Sequence, residues 1–211
     1  MGLRRLSNFA IALCVWLVLT GSTALAHHVM GGKLPASLPD GLLSGLGHPI
    51  IGVDHLAAVI AVGLLAAAHR LGPLLIVGYV LAQVAGAAAH VQGTSVPAAE
   101  ILVGLSVVAL GALLLLQRAL PPAAILAAFG LAGLFHGYAL AESIVGAEPT
   151  PLYAYFAGFA AIQAIVALVA LAIVRNLPRP VWEQHANVRL IGAGIVGLGI
   201  GAVMTQLVAT G

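Results

Sequence analysis

The sequence contains six long apolar segments of about 20 residues each. Short connections rich in proline and glycine join them. The segments have the length that an α-helix needs to cross the hydrocarbon core of a bilayer. Only 7% of the residues are charged, whereas a soluble domain carries about a quarter. A chain of this composition cannot maintain a water-facing surface, and the alternating pattern of a membrane β-barrel is missing from the sequence. We therefore predict an all-α fold, a polytopic membrane helix bundle.

The apolar pattern also predicts where the helices cross. Residues 34–47 form an apolar lead-in to the first span, and we expect it to fold back as a half-helix. Proline and glycine punctuate the joints between spans, and no joint is long enough for a soluble domain. The six predicted spans cover residues 48–69, 72–91, 97–116, 121–142, 152–174 and 189–209.

The first 26 residues have the pattern of a secretory signal peptide. Arg4 and Arg5 precede a short apolar core, and Ala24-Leu25-Ala26 is a small-x-small cleavage site. An uncleaved first helix is the alternative, although the stretch is short for a span. We predict a signal peptide at 1–26 and a six-helix domain at 27–211. Cleavage would remove the single cysteine, Cys14, and with it disulfides and thiolate metal ligands.

Positive charge predicts the orientation of the bundle. A cleaved N-terminus lies outside, so the outer segments contain only Lys33 as a cation, whereas the inner loops contain Arg70, Arg118, Arg175, Arg179 and Arg189. This distribution obeys the positive-inside rule and predicts a multi-pass protein of the bacterial inner membrane with a periplasmic N-terminus. The acidic residues fall on the outer side: Asp40, Glu100, Glu142 and Glu148. No basic run is long enough to indicate nucleic acid; the lipid bilayer is the predicted environment.

Small residues spaced four apart predict the packing faces. These stripes are Gly78-Ala82-Gly86 on the second span, Gly133-Gly137-Ala141 on the fourth and Ala193-Gly197-Gly201 on the sixth. Stripes of this kind let helix backbones approach closely, so packing is a sufficient explanation of these glycines.

The first span begins with costly ionisable groups, which are rare inside membranes. On one straight helix, His48 and His55 would share a face about 10 Å apart along the axis, with Gly52 leaving room between them. Asp54 is a candidate ligand, or a partner for the second ring nitrogen of a ligating histidine.

The predicted topology places further ionisable groups at the same depth. The first span runs inward and the fourth runs outward, so His136 and Glu142 fall in the outer leaflet with His48 and His55. His90 of the second span and Glu100 of the third fall there too. Imidazole and carboxylate together suit nickel, cobalt, zinc or Cu(II). The candidate metal ligands are His48, Asp54, His55, His90, Glu100, His136 and Glu142, with His27 and His28 at the new N-terminus as a separate candidate pair.

Several of these residues have structural explanations that stay open. His90 could be an interhelical hydrogen-bonder, Glu100 could be favoured by the helix dipole, and Glu142 could lie at the interface. His27 and His28 could simply be a polar tail, and we expect His69 and His185 beside the inner loops to be solvated. The inner half offers few candidate ligands, which are Gln83 and Gln163.

Two segments resemble the signatures of the HupE/UreJ family of hydrogenase and urease accessory membrane proteins. One is His48-Pro49-x-x-Gly52-x-Asp54-His55-Leu56, continuing to Ala61-Val62-Gly63-Leu64, and the other is Phe135-His136-Gly137-x-Ala139-x-x-Glu142. The resemblance covers nearly the whole chain. It implies import of nickel, or in some members cobalt, along a path lined by His48, Asp54, His55, His136 and Glu142. Val59, Leu140 and Gln163 stand where many members have a methionine or a histidine.

These observations together predict a secondary permease for a divalent transition metal, Ni²⁺ or Co²⁺, that serves metalloenzyme maturation. The ion is the cargo, no prosthetic group and no enzymatic activity are expected, and metalloenzyme maturation proteins are candidate partners. The sequence has no nucleotide-binding motif for direct ATP hydrolysis. Two alternatives stay open. One is an intramembrane metal-dependent hydrolase, although the His-Glu-x-x-His spacing is missing from the sequence; the other is a metal-binding accessory protein that does not transport.

Overall fold

Helices make up almost all of the computed structural model, which describes residues 33–117, 120–176 and 185–210. The helices are α1 Leu38–Ile51, α2 Val53–Ala67, α3 Gly72–Val91, α4 Ala99–Leu116, α5 Pro122–Leu140, α6 Pro149–Asn176 and α7 His185–Thr210, with a 3₁₀ turn at Ala141–Ile144. Five segments are long and apolar enough to cross a membrane, and the bent pair α1–α2 supplies a sixth. The all-α membrane bundle is therefore confirmed. The proposed signal peptide at 1–26, together with His27, His28, Arg118 and Arg179, lies outside the described residues.

Local sequence signals set the helix ends. The Ser37 side chain caps α1 by accepting a hydrogen bond from the backbone N–H of Asp40 at 3.3 Å. Pro73, Pro122 and Pro149 lie in the first turns of α3, α5 and α6, where a missing N–H costs nothing. Gly93, with a φ of +86°, follows the end of α3, a conformation that glycine adopts without strain.

The first span is broken, which the sequence analysis did not predict. α1 and α2 meet at an angle of 79° around Gly52, which has an extended backbone. Pro49 lies one turn before the break. Because proline has no backbone N–H, it cannot donate the hydrogen bond that a regular helix would have at this position. The prediction of one straight span over residues 48–69 is therefore wrong. The half-helix expected before this span exists, but it extends to Ile51 and includes His48. The predicted separation of His48 and His55 by two turns of one helix is wrong for the same reason.

The two halves of the broken span follow one long helix in the same direction. A Cβ at Gly41 would strike the carbonyl of Pro151, and one at Gly45 would strike that of Tyr155. Further along, Gly63 lies against the carbonyl of Ala167. α1 and then α2 thus pack along α6 from its start to beyond its middle, so the pair forms one discontinuous span.

Glycines bring the other helices into close contact. Gly86 of α3 lies against the carbonyl of Leu134, and Gly137 of α5 lies against that of Gln83. The stripes predicted on these two helices are therefore packing faces. The stripe predicted on α7 does not pack against another helix of this chain at Gly197, because a Cβ there would meet nothing within 4 Å; packing between chains, the other role predicted for such stripes, stays a prediction. The α4–α7 contact uses four other glycines, Gly104, Gly111, Gly192 and Gly199.

The two ends of the bundle differ in charge. α2, α4 and α6 end near the start of α7, so that Arg70, Arg175 and Arg189 lie at one end, called here the arginine end. Arg175 donates to the carbonyls of Ala67 and His69 there, at 3.4 and 2.6 Å. Asp40, Glu100, Glu142 and Glu148 lie at the opposite end, called the histidine end. The predicted charge asymmetry is present; which end faces the cytoplasm stays a prediction.

Candidate metal site

Three histidines from three helices meet beside the break in the first span. The rings of His48 in α1 and His55 in α2 have centroids 5.9 Å apart, and those of His55 and His136 in α5 have centroids 4.9 Å apart. Their exposed fractions are 3%, 1% and 0%. The break produces this meeting, because the turn at Gly52 brings His55 towards His48. Gly52 also makes room, since a Cβ there would lie 2.8 Å from Cδ2 of His55.

Hydrogen bonding fixes which nitrogen of His136 carries its proton. Ser106 Oγ lies 2.7 Å from the Val103 carbonyl and 2.9 Å from Nε2 of His136. A carbonyl can only accept, so the serine proton points to Val103 and His136 Nε2 donates to the serine oxygen. Nδ1 of His136 therefore presents a lone pair, and it lies 2.8 Å from Nδ1 of His55.

His48 is oriented in the same manner by a tyrosine. Tyr155 donates its hydroxyl proton to the Leu140 carbonyl at 2.6 Å and lies 2.7 Å from Nδ1 of His48. The tyrosine oxygen therefore accepts from Nδ1, and the lone pair of His48 is on Nε2. Ser143 Oγ lies 3.1 Å from the same Nδ1. Metal-ligating histidines commonly have this partner on the second ring nitrogen, and two of the three histidines have one.

Asp54 adds a carboxylate to the first turn of α2. Its Oδ1 accepts from the backbone N–H of His55 at 2.8 Å, and its side chain is half-buried. The position favours a negative charge, since backbone N–H groups converge at a helix N-terminus. The carboxylate therefore supplies a negative charge beside His55.

The remaining candidates lie apart from this cluster. His90 stacks on Tyr138 with centroids 4.0 Å apart and donates from Nδ1 to the Tyr138 carbonyl at 2.7 Å, which matches its alternative as an interhelical hydrogen-bonder. Glu142 is exposed in the 3₁₀ turn beside Ser143, and Glu100 is half-buried in the first turn of α4. The side chain of His185 is outside the described part of the chain, and His69 is half-exposed at the arginine end.

The three imidazoles form a chain from His48 through His55 to His136. Within the described ranges, no three side chains of histidine, cysteine, aspartate or glutamate stand as a ready-made set of metal ligands. An ion would therefore be held by a movement of side chains that brings the lone pairs of neighbouring histidines together. Each pair of neighbouring histidines would thus offer two ligands, whereas a structural zinc site has four ligands in a closed tetrahedral arrangement.

Sequence reasoning missed the groups that orient the histidines. These groups are the neutral side chains of Ser106, Ser143 and Tyr155. Serine and tyrosine are common in membrane helices, so the sequence alone gives no reason to single them out. The one signal was positional: Ser106 and Tyr155 lie in the halves of their spans that were predicted to share a leaflet with the histidines.

Comparison with known proteins identifies relatives of the chain. The profile of the family described as HupE / UreJ protein matches residues 15–202. Protein HupE of Rhizobium leguminosarum bv. viciae is 33% identical over 101 residues, which are 47% of this chain and 53% of that protein. The chain thus matches about half the length of this curated relative. No solved structure matches the chain.

Proposed function

The chain belongs to the HupE/UreJ family, and we propose that it carries a divalent transition metal ion, Ni²⁺ or Co²⁺, through the bacterial inner membrane for metalloenzyme maturation. The ion is the transported substrate. The family match and the similarity to Protein HupE support this function. The choice of Ni²⁺ or Co²⁺ rests on the family resemblance, since imidazole and carboxylate also suit zinc and Cu(II).

The observation that carries the proposal is the buried chain of His48, His55 and His136. Three imidazoles removed from water in an apolar bundle are costly, and packing alone does not require them to meet. Imidazole nitrogens with a nearby carboxylate suit nickel and cobalt. The tautomers assigned above make His55 Nδ1 the donor to His136 Nδ1 at 2.8 Å, so an ion shared between those rings would take the place of that proton.

The broken span supplies a further feature for cation binding. The last carbonyls of α1 have no helical partner beyond Ile51, and a helix C-terminus has a partial negative charge. Discontinuous helices serve ion sites in many secondary transporters for this reason. His48, in the last turn of α1, is thus next to a second source of oxygen ligands.

The charge distribution supports inward movement of the ion. With the arginine end in the cytoplasm, the histidine end faces the periplasm and receives the ion first. A membrane potential that is negative inside favours entry by about 2.3 kcal/mol per charge per 100 mV. The potential thus provides a driving force without nucleotide hydrolysis.

The first test is uptake of Ni²⁺ and Co²⁺ by liposomes that contain the purified protein. We expect the unaltered protein to take up one of these ions, and His48→Ala combined with His55→Ala to abolish uptake, because two of the three imidazoles are lost. His69→Ala is the matched control, since His69 lies at the arginine end, and it should transport normally.

Two results would contradict the proposal. Uptake that continues unchanged in the double variant would show that the histidine chain is not on the path. Tight metal binding without uptake by the unaltered protein would favour the metal-binding accessory protein, or a metal-dependent hydrolase if bound zinc supported hydrolysis of a lipid or peptide.

A further inference from the structure

Four buried polar side chains in the described part of the chain make no hydrogen bond with the protein: Ser44 of α1, Tyr79, Gln83 and Gln163. The last three lie deepest. Both amide atoms of Gln83, both amide atoms of Gln163 and the hydroxyl of Tyr79 make no hydrogen bond, and all three residues are 0% exposed. Buried polar groups are almost always paired, and each unpaired group costs about 1–3 kcal/mol. Interhelical hydrogen bonding is the usual structural role of such residues in membranes, and these amide groups do not make it.

Gln163 lies beyond the histidine chain on α6. Tyr155, which holds His48, begins a buried ridge that continues at intervals of four residues through Phe159 and Gln163. Eight residues of helix span about 12 Å, and α6 runs from the histidine end to the arginine end. The unpaired amide of Gln163 is therefore buried about two turns deeper than the hydroxyl that orients His48.

On α3, Gln83 lies at the depth of His136, and Tyr79 lies one turn deeper. The Gln83 backbone lies against Gly137, the residue that follows His136. Tyr79 is one turn closer to the arginine end on the same buried face. A Cβ at Gly133, one turn deeper on α5 than Gly137, would strike the carbonyl of Tyr79. The two residues thus extend the polar region from the histidines into the apolar core.

We propose that Gln83, Tyr79 and Gln163 form a neutral polar step, which receives the cation from the histidine chain and passes it on towards the arginine end. The inference rests on the proposed transport function and adds the second station of the path. Amide and hydroxyl oxygens bind a divalent ion, or the water that accompanies it, without a charge of their own. They therefore hold it more weakly than imidazole and carboxylate, and conduction requires sites from which an ion can leave.

The step is tested by removing the amide groups and keeping the bulk. Gln83→Leu and Gln163→Leu are made singly and together in the full chain, with the exposed Gln92→Leu as the matched control. Three quantities are measured: Ni²⁺ and Co²⁺ uptake by liposomes, binding of the same ion by protein in detergent, and the midpoint of thermal unfolding.

We expect uptake to fall about tenfold or more in the double variant, which corresponds to an added barrier of about 1.4 kcal/mol. Ion binding should stay within about threefold of the unaltered protein, since the histidines remain, a difference of under about 0.7 kcal/mol. The unfolding midpoint should not fall, because the lost amides made no hydrogen bonds. Gln92→Leu should match the unaltered protein in uptake and in ion binding, and its unfolding midpoint should fall slightly, because the Gln92 amide donates to the Ala88 carbonyl at 3.1 Å.

Normal uptake in the double variant would overturn the inference. A lower unfolding midpoint, with binding and uptake lost together, would also overturn it, because the glutamines would then be structural. If the unaltered protein moved neither ion, the proposed function would fail and the polar step with it. If the unaltered protein transports the ion and the glutamine variants do not, the result tests the polar step separately from the proposed function.

Discussion

Each histidine in the cluster has two ring nitrogens, and only one can bind an ion while the other needs a partner. Ser106 and Tyr155 supply that partner through hydroxyl groups whose single protons are directed to backbone carbonyls. The ligand candidates could be predicted because charged and imidazole groups stand out in an apolar sequence. Their hydroxyl partners could not be, because a serine or tyrosine in a membrane helix is usual without any such role.

Tyr155→Phe tests this arrangement at the level of one atom. Loss of the hydroxyl removes the acceptor 2.7 Å from Nδ1 of His48 and leaves the longer contact with Ser143 Oγ at 3.1 Å, so the tautomer of the ring is held less firmly. We expect Ni²⁺ or Co²⁺ affinity to fall about tenfold or more, as with other partners of metal ligands. Tyr153→Phe, two residues away on α6 and 69% exposed, is the control. Equal affinity of both variants, measured by calorimetry, would show that the tyrosine does not orient His48.

At the scale of helices, the sequence predicted six spans and the half-helix before the first, but not the sharp bend at Gly52. Periodicity describes an unbroken helix equally well on both sides of such a point. The break depends on contacts with α6, which receives α1 and α2 in succession. The packing face of α7 was missed for a related reason: a helix so rich in glycine offers small residues on more than one side, and only its partner α4 selects among them.

Two glycine substitutions test the close packing of α3 and α5. Gly86→Ala places a methyl group against the carbonyl of Leu134, and we expect a loss of about 1–3 kcal/mol in the free energy of unfolding, typical of overpacking. Gly130→Ala on α5 meets nothing within 4 Å, so it should be neutral or stabilise by up to about 1 kcal/mol through helix propensity. Thermal unfolding in detergent measures both. Similar effects of the two substitutions would mean that these helices do not approach at Gly86.

For the whole molecule, composition and charge carried most of the prediction. The bilayer as solvent follows from the 7% of charged residues, and the two differently charged ends follow from a count along the chain. The sequence singled out Gln83 and Gln163 as the few candidate ligands of the inner half, but only packing shows that both amides are buried and unpaired. The polar path therefore belongs to the assembled bundle, with parts from α1, α2, α3, α5 and α6.

The direction of transport depends on which end of this bundle faces the periplasm, and cysteine labelling decides that. In a Cys14→Ser background, Ser95→Cys places an exposed thiol at the histidine end and Leu71→Cys places one at the arginine end. Positive charge retained inside predicts that a membrane-impermeant thiol reagent labels only Ser95→Cys in intact spheroplasts, and both after lysis. The reverse pattern would put the histidines on the cytoplasmic side. The membrane potential would then oppose cation movement from the histidine chain to the polar step, so import would have to run from the arginine end through the polar step to the histidines.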